Sequence, residues 1–499
     1  MNAKPDTTSW HERARELAIR AQAFIGGRYL DAASGATFDC INPATGARLA
    51  RVAACDQEDI NRAVEAARAA FRKGSWAGLK PAKRKAVLRR FAQLIFEHGD
   101  ELALLETLDM GKPISDSLQV DIPAAARCIE WYAEAVDKVY DEIAPTGPGA
   151  LALITREPVG VVGAIVPWNF PLLMAAWKIG PVLAAGNSLV LKPSEKSPLT
   201  AIRVAELAIE AGIPDGVLNV VPGFGHTAGK ALALHMDVDC VAFTGSTATG
   251  RSLMQYAGQS NLKRVWLECG GKSPNIVLAD YPDLEKAATA AAFAIFFNQG
   301  EVCSAGSRLL VQESVKDAVL EKVQAIGRTL QPGDPLDPRT RLGAIVDDAQ
   351  MKRVLGYIEA GRRDGAQLRL GGRRVREESG GYFVEPTVFD AVQPRMTIAR
   401  EEIFGPVLST ITFKTVEEAV EIANDVIYGL VAAVWTREVT TAHRVARALR
   451  AGTVYINCYD ADDITVPFGG FKQSGIGRDK SLHALDKYTE LKTTWLDLS

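Results

Sequence analysis

Short apolar runs of strand length alternate with helical segments through most of the chain, beginning near residue 160. The runs are mostly aliphatic and lie at 161–166, 188–191, 217–221, 240–243 and 265–267. Strands without polar alternation are buried on both faces, and helices between them provide the crossovers that parallel strands require. The alternation therefore predicts an α/β fold, with parallel sheets covered by helices on both faces.

The same alternation starts again after the glycine pair Gly270-Gly271. Further apolar runs follow at 275–278, 308–312, 407–413, 431–435 and 453–456, with helical segments between them. Because the glycine pair interrupts the first series, we predict two α/β lobes with a junction near residue 270. No internal repeat accompanies this division.

The C-terminal tail has the alternating pattern of an additional strand, with Leu491, Thr493 and Trp495 on one face. A strand exposed at a chain terminus readily pairs with a second subunit. We therefore expect a homo-oligomer.

Composition excludes several classes of partner. The 499 residues are 47% hydrophobic and 23% charged, as in ordinary globular proteins. The formal net charge is −3, which leaves no basic surplus for binding nucleic acid or an anionic membrane surface. The uncharged stretch 158–177 has transmembrane length but contains three prolines, so we interpret it as a buried strand leading into a rigid loop.

Cysteine and histidine spacing argues against a metal site. The seven cysteines include no C-x-x-C pair, and the six histidines show no helical pairing. We therefore expect no bound metal, and free thiols in a reducing compartment such as the cytoplasm. The N-terminus lacks the apolar core of a secretion signal.

Three side chains are suited to chemistry at a carbonyl group. Cys303 lies in a glycine-punctuated turn after a long apolar helix. Asn169, between two prolines at a strand end, offers a rigid N–H donor for an oxyanion. Glu268 precedes the glycine pair and suits a general base that can move. A buried apolar thiol, a turn-forming Asn and a salt-bridged Glu are the alternative interpretations.

Two other strand ends have features suited to a nucleotide. Lys192 and Glu195 are placed to bind the ribose of an adenosine, although a surface ion pair fits equally. Gly245-Ser246 opens a helix and offers free N–H groups to a pyrophosphate, although such a turn is a weak signal by itself. Ser197-Pro198 predicts the start of another helix, with Ser as its N-cap.

In this order and spacing, these segments resemble the aldehyde dehydrogenase superfamily from about Phe24 to Trp495. The resemblance implies the aldehyde dehydrogenase fold: two parallel-sheet α/β lobes and a small β oligomerisation arm. The Rossmann-like NAD-binding domain would comprise residues 1–140 and 160–270, the catalytic domain 271–470, and the arm 141–159 with 486–499. It also implies a cytoplasmic dimer of dimers.

The resemblance implies a role for each matching residue. Cys303 matches the nucleophile, Asn169 the oxyanion donor, Glu268 the deacylating base and Lys178 a member of the water and proton network. The residues that match the cofactor site are Lys192 and Glu195 at the adenosine ribose, Gly245 and Ser246 at the pyrophosphate, and Trp168, Glu402 and Phe404 near the nicotinamide. A carboxylate at Glu195 would repel a 2′-phosphate, so NAD is expected to be preferred over NADP.

Within the superfamily, the chain most resembles bacterial enzymes of polyamine breakdown. These oxidise γ-glutamyl-γ-aminobutyraldehyde or 4-guanidinobutyraldehyde. Four segments carry the similarity: 81–88, 106–114, 157–161 and 477–485. We therefore expect a small aldehyde substrate with an ω-amino, ω-guanidino or γ-glutamylamino end.

Acidic residues provide independent grounds for a cationic substrate. Asp462 lies in an acidic loop that leads towards Phe468, and Asp121 is expected to face the same entrance. Phe170, Trp177 and Phe468 would supply an apolar wall and cation–π contacts. The alternative is that these acids only solvate a surface loop.

Two residues depart from the usual family pattern, and three alternative functions stay open besides. Cys269 and Glu301 stand where Leu and Gln are common; Cys269 is either a redox partner of Cys303 or a packed thiol, and Glu301 is expected to raise the Cys303 pKa. A broad-specificity aldehyde dehydrogenase is one alternative. A CoA-acylating semialdehyde dehydrogenase would not need Glu268, and a non-catalytic relative would have lost Cys303, Asn169 or Glu268.

Overall fold

The computed structural model describes residues 9–499, and its strands form two large sheets and three small ones. The strands in chain order are β1 Ala23–Ile25, β2 Arg28–Leu30, β3 Thr37–Ile41, β4 Arg48–Ala53, β5 Glu142–Ala144, β6 Ala150–Pro158, β7 Val161–Ile165, β8 Ser188–Lys192, β9 Leu218–Val220, β10 Cys240–Gly245, β11 Arg264–Cys269, β12 Pro274–Val277, β13 Arg308–Gln312, β14 Gln367–Leu370, β15 Arg374–Val375, β16 Phe383–Val384, β17 Thr387–Asp390, β18 Val407–Phe413, β19 Val431–Trp435, β20 Thr453–Ile456, β21 Gly475–Ile476 and β22 Thr489–Asp497.

Helices cover the faces of both large sheets. They are α1 Trp10–Glu16, α2 Gln57–Lys73, α3 Pro81–Glu97, α4 Gly99–Met110, α5 Ile114–Asp116, α6 Ile122–Ala135, α7 Pro171–Ala184, α8 Leu199–Glu210, α9 Lys230–Leu234, α10 Thr247–Gln259, α11 Leu284–Phe296, α12 Lys316–Thr329, α13 Asp348–Arg363, α14 Thr397–Arg400, α15 Val416–Asn424 and α16 Val439–Ala448. None of the helices in residues 9–499 is both long and apolar enough to cross a bilayer.

The first large sheet has eight strands in the order β2-β1-β9-β8-β7-β10-β11-β21. Its central strands β9, β8, β7, β10 and β11 are parallel, as the apolar runs predict. The last strand, β21, is antiparallel and places Gly475 beside Glu268 of β11. A segment from near the C-terminus thus completes the sheet that holds the predicted base.

The second large sheet has seven strands in the order β14-β17-β18-β13-β12-β19-β20. All neighbours are parallel except β14 and β17. The two-sheet α/β architecture predicted from the sequence is therefore confirmed. The exact domain boundaries remain a prediction; the large sheets divide near residue 270, apart from β21.

The predicted tail strand is confirmed as β22, which pairs along its full length with β6 and forms a three-stranded sheet with β6 and β5. This arm projects apolar side chains outward, including Ile143, Leu491 and Trp495. The largest buried cluster, by contrast, joins helices α3, α6, α7 and α8 to the first sheet and continues through α11 to the second. The core thus spans the region between the two large sheets.

Candidate active site

Cys303 follows the end of α11, beyond a turn in which Asn298 and Gln299 have positive φ of 48° and 57°. Its side chain lines two cavities, one of about 420 Å³ and one of about 150 Å³. Unlike the buried Cys269, it is partly accessible to solvent. A nucleophile at this position can be reached by two different molecules at once.

The predicted oxyanion donor is held against the segment that carries Cys303. Asn169 is buried, and its Nδ2 donates to the carbonyl oxygen of Glu301 at 2.8 Å. In the other direction, Asn298 Nδ2 donates to the carbonyl oxygen of Asn169 at 3.1 Å. This double link fixes the amide of Asn169 beside the thiol, with one N–H of its NH₂ group left for a ligand.

Glu268 lies near the C-terminal end of β11, and it lines the smaller cavity together with Cys303. Neither of its carboxylate oxygens has a hydrogen-bond partner among the described residues. Burial raises the pKa of Glu268 well above its usual value, with a further contribution from the charge of Asp479. An unpartnered carboxyl of raised pKa is suited to accept a proton near neutral pH.

Lys178, on α7, is ion-paired with Asp479, and the second oxygen of that carboxylate pairs with Lys487. Burial alone would raise the pKa of Asp479, but Lys178 and Lys487 together hold it below its usual value. Lys178 also lowers the pKa of Glu268, which partly offsets the effect of burial. Sequence reasoning missed the role of Asp479, because its partner Lys178 lies about 300 residues away in the chain. It also missed Lys487, which pairs with Asp479 from eight residues away.

The smaller cavity has the features of a dinucleotide site. Gly245, Ser246, Trp168, Glu402 and Phe404 all line it, as the sequence predicts. Ser246 is the N-cap of α10, so this helix begins at the cavity and its N-terminus is suited to a phosphate. A side chain at position 245 would collide with the Phe243 ring, so only glycine fits there. The buried hydroxyl of Thr244 also lines the cavity and has no partner among the described residues.

Glu402 is packed against the glycine pair at the lobe junction. Its Oε1 accepts the Gly271 N–H at 3.1 Å, and a Cβ at Gly270 would overlap its carboxylate. Burial raises the pKa of Glu402 to about 7. The neighbouring Phe404 has a positive φ of 59°, and its ring packs edge-on against Trp168 at 5.2 Å. The absence of a side chain at Gly270 therefore admits Glu402 beside the cavity.

Lys192 and Glu195 lie at the end of β8, outside the lining of the smaller cavity. Their charged groups are 3.2 Å apart, with Lys192 buried and Glu195 partly exposed. The structure therefore shows the ion pair, and the predicted contact of these two residues with an adenosine ribose stays a prediction.

The larger cavity has an aromatic wall and an acidic edge. Four predicted substrate residues line it: Phe170, Trp177, Asp462 and Phe468. Asp460, from the same predicted acidic loop as Asp462, also lines it. The lining further includes residues that the sequence did not single out for substrate contact, among them Asp116, Met174, Phe293, Phe297 and Arg341. The prediction for Asp121 is wrong. It is fully buried and bonded to Lys112 at 2.8 Å, because a buried ammonium requires a partner.

A lysine of the chain already occupies the expected cation site. Lys480 pairs with Asp462, and its Nζ lies 5.7 Å from the Trp177 ring and 5.9 Å from that of Phe468. The aromatic pair therefore contacts a cation, as the sequence predicts, but the cation belongs to the protein. Asp460 is the more deeply buried acid and accepts a hydrogen bond from the Ser304 hydroxyl at 3.1 Å.

The family model for the aldehyde dehydrogenase family matches residues 29–494, nearly the whole chain. This chain belongs to the aldehyde dehydrogenase family. It is therefore an oxidoreductase that acts on aldehydes with a nicotinamide dinucleotide.

Several relatives of this aldehyde dehydrogenase are similar along their whole length. The NADP/NAD-dependent aldehyde dehydrogenase PuuC of Escherichia coli is 57% identical over 98% of each chain. Among solved structures, an indole-3-acetaldehyde dehydrogenase complexed with NAD+ is 65% identical, with a TM-score of 0.98 over 99% of this chain and 100% of that one. A γ-glutamyl-γ-aminobutyraldehyde dehydrogenase of Burkholderia cenocepacia is 65% identical, with a TM-score of 0.97 over 98% of this chain and 99% of that one.

The two departures of this aldehyde dehydrogenase from the family pattern do not act together on the thiol. Cys269 is buried beneath α10, where its sulfur packs near Gly250 and not in either cavity that Cys303 lines. Burial makes the largest contribution to raising the pKa of Cys303, and the charges of Glu268, Glu402 and Asp460 raise it further. Glu301 instead accepts the Val346 N–H at 3.2 Å. Cys269 is therefore a packed thiol in this structure.

The described residues contain no cluster of three or more His, Cys, Asp or Glu side chains arranged to hold a metal ion.

Proposed function

We propose that this aldehyde dehydrogenase oxidises an ω-amino, ω-guanidino or γ-glutamylamino butyraldehyde from polyamine breakdown to its carboxylic acid. The observation that carries the proposal is the position of Cys303 in the linings of both cavities, one acidic at its edge and one suited to a dinucleotide. The similarity to the γ-glutamyl-γ-aminobutyraldehyde dehydrogenase of Burkholderia cenocepacia supports the same substrate class.

In the first step, the Cys303 sulfur attacks the aldehyde carbon. The thiol must first lose its proton, and the carboxylate of Glu268, which has no partner among the described residues, is the base that shares its cavity. The oxyanion of the thiohemiacetal then takes hydrogen bonds from the Asn169 side chain and the Cys303 N–H. Each such donor contributes about 3 kcal/mol to stabilising the transition state.

A nicotinamide dinucleotide, when bound, accepts the hydride that leaves the former aldehyde carbon. Cys303 is then held in a thioester, and hydrolysis requires an activated water. Glu268, once it has released the thiol proton to solvent, removes a proton from that water, and the charge of Lys178 favours the ionised form of this base. The proton then passes from Glu268 to the Cys303 sulfur as the carbon–sulfur bond of the thioester breaks. The carboxylic acid leaves, and the free thiol is restored.

NAD is the proposed cofactor, with NADP a weaker alternative. The partly exposed carboxylate of Glu195 would repel a 2′-phosphate on the adenosine ribose. The dual cofactor use in the name of the Escherichia coli relative makes NADP worth testing directly. Replacing Glu195 with Gln is expected to raise kcat/KM for NADP relative to NAD.

A panel of aldehydes tests the substrate assignment. We expect the highest kcat/KM with NAD for 4-aminobutyraldehyde, 4-guanidinobutyraldehyde or γ-glutamyl-γ-aminobutyraldehyde, and acid as the product. Indole-3-acetaldehyde represents a second candidate class, favoured by the aromatic wall and by the relative named for that substrate. A preference for neutral aldehydes of all sizes would indicate broad specificity and contradict the polyamine proposal. A CoA ester as product would indicate the acylating reaction.

The arm supports a proposal about assembly. β22 leaves one edge unpaired within the described chain and carries exposed Leu491 and Trp495. We propose that this arm pairs with a second copy and that two such dimers form a tetramer. We also propose that residues 1–140 and 160–270 act as the NAD-binding domain, 271–470 as the catalytic domain, and that the enzyme works in the cytoplasm, where its seven free thiols stay reduced.

A further inference from the structure

Helix α4 carries two fully buried carboxyl groups, Glu106 and Asp109, that none of the catalytic steps uses. They belong to segment 106–114, one of the four that carry the subfamily resemblance. Each carboxyl accepts a hydrogen bond from the first turn of a different helix. These helices are α7, which follows Asn169, and α8, which follows Lys192 and Glu195.

Glu106 caps helix α7. The N–H of Leu172 donates to Glu106 Oε2 at 3.2 Å. Because Pro171 occupies the first position of α7 and has no N–H, Leu172 provides the first free donor of this helix. Asn169 lies only two residues before α7 begins. The direction in which α7 starts therefore determines where the amide of Asn169 lies.

Asp109 caps helix α8 in the same way. The N–H of Leu199, the first residue of α8, donates to Asp109 Oδ2 at 3.0 Å. The sequence predicts Ser197 as the cap of this helix, and that prediction is wrong. The Ser197 hydroxyl instead donates to the carbonyl oxygen of Trp168 at 3.1 Å. This bond joins the segment after Lys192 and Glu195 to the segment that contains Asn169.

A buried cation accompanies the two carboxyls. Lys112 Nζ lies 3.8 Å from Glu106 and 4.1 Å from the centre of the Phe170 ring, and Phe170 stands between Asn169 and Pro171. These caps come from a third helix, so hydrogen bonds join α4 to the starts of α7 and α8. Burial raises the pKa of Glu106 to about 8 and that of Asp109 well above its usual value, so both caps cost the desolvation of a carboxyl group, which an exposed local cap would avoid.

We propose that Glu106 and Asp109 are positioning residues, with Glu106 fixing the oxyanion donor Asn169 and Asp109 fixing the ribose segment Lys192–Glu195. The inference rests on the proposed function, since both segments take their roles from it. It predicts a division of effects: Glu106 acts on the chemical step, and Asp109 acts on cofactor binding.

The test compares Glu106→Ala and Asp109→Ala in the full-length enzyme, with NAD and propanal. We expect Glu106→Ala to lower kcat about tenfold while the Kd for NAD stays within about twofold of wild type. We expect Asp109→Ala to weaken NAD binding by about fivefold to tenfold with little change in kcat. Glu106→Gln and Asp109→Asn keep an acceptor oxygen and should restore most of each loss.

Thr107→Val on the same helix is the matched control. It removes a buried hydrogen bond of 2.8 Å to Ser117, so it should lower Tm without changing kcat or the Kd for NAD. The proposal would be overturned if the Glu106 and Asp109 variants changed kcat and the Kd for NAD equally. It would also be overturned if they lowered Tm alone. If an alanine variant is insoluble, Glu106→Asp or Asp109→Ser replaces it, because the shorter side chain moves the oxygen away from the N–H. The Glu106 variant must then lower kcat, and the Asp109 variant must weaken NAD binding. Absence of aldehyde oxidation in the wild type would instead contradict the proposed function itself.

Discussion

The ammonium group of Lys480 lies 5.7 Å from the ring of Trp177 and is paired with Asp462 at the edge of the substrate cavity. The protein thus places its own cation where a substrate ammonium would bind. Asp462 has an exposed carboxylate, so its charge is shared between Lys480 and the cavity. Under the proposed function, selectivity for cationic aldehydes would depend on this one internal ion pair.

Removing the internal cation should increase the preference for cationic substrates. In Lys480→Met, Asp462 loses its partner, and we expect the ratio of kcat/KM for 4-aminobutyraldehyde over butanal to rise about fivefold. Asp462→Asn should lower the same ratio. Asp463→Asn is the control, since the Asp463 side chain hydrogen-bonds only to Thr465 among the described residues and lies outside the cavity lining. A ratio unchanged in both variants would show that Asp462 only solvates the loop.

Loss of the Asn169 amide should affect the chemical step alone. Asn169→Ala removes one oxyanion donor, so kcat is expected to fall by a factor of about 10² to 10³. NAD binding, measured by fluorescence titration, should change little, because the amide bonds to Glu301 and not to the predicted ribose ligands. An Asn169→Ala enzyme with normal kcat would mean that another group stabilises the oxyanion.

The raised pKa of Glu268 predicts an acid limb in the pH profile. A general base works in its deprotonated form, so deacylation should slow as the pH falls through this pKa, at a pH well above that of an ordinary glutamate. Glu268→Gln should abolish this limb and allow the acyl-enzyme to accumulate, which mass spectrometry of the intact chain can detect. An unchanged acid limb in Glu268→Gln would assign the titration to another group.

Lys487 should contribute to stability through Asp479. The pKa of Asp479 is depressed in the folded state, so its contribution is present above the unfolded pKa and is lost as the pH falls through the folded pKa. Lys487→Met raises that folded pKa and should reduce the free energy of unfolding by about 1 to 3 kcal/mol at neutral pH. Urea denaturation measures the change. Lys487→Arg keeps the charge and serves as control; an equal loss in both variants would point to packing instead of charge.

The exposed arm predicts a change in assembly. Trp495→Glu places a charge on the outer surface of β22, where Trp495 is 65% exposed in the single chain. We expect the variant to have a lower molar mass by light scattering than the wild type. A wild-type enzyme that is already monomeric would contradict the proposed pairing of arms.

Features set by local sequence were predictable, and those set by distant contacts were not. Asn169, Lys192 and Glu268 lie at or near strand ends, as the apolar runs predict, because parallel strands end at one edge of a sheet. Their roles in binding and catalysis stay predictions. Asp121 was misplaced because a five-residue turn over 117–121 directs it inward to Lys112.

The errors at helix ends and ion pairs have the same origin. The cap of α8 comes from Asp109, 90 residues earlier, and Ser197 bonds elsewhere. Lys480 pairs with Asp462, 18 positions earlier in the chain, and strand β21 lies between them. A local sequence pattern cannot predict these pairings, since they depend on how whole helices and strands pack together.

Strand β21 joins the first large sheet beside Glu268, although its residues come 207 positions later in the chain. During synthesis on the ribosome, β11 is made long before this neighbour exists. The edge that later flanks the base must therefore remain open while the roughly 200 residues between β11 and β21 are made. A nascent enzyme cannot acquire the complete surroundings of this carboxylate until β21 has emerged, so activity cannot begin when the first sheet's other strands are finished.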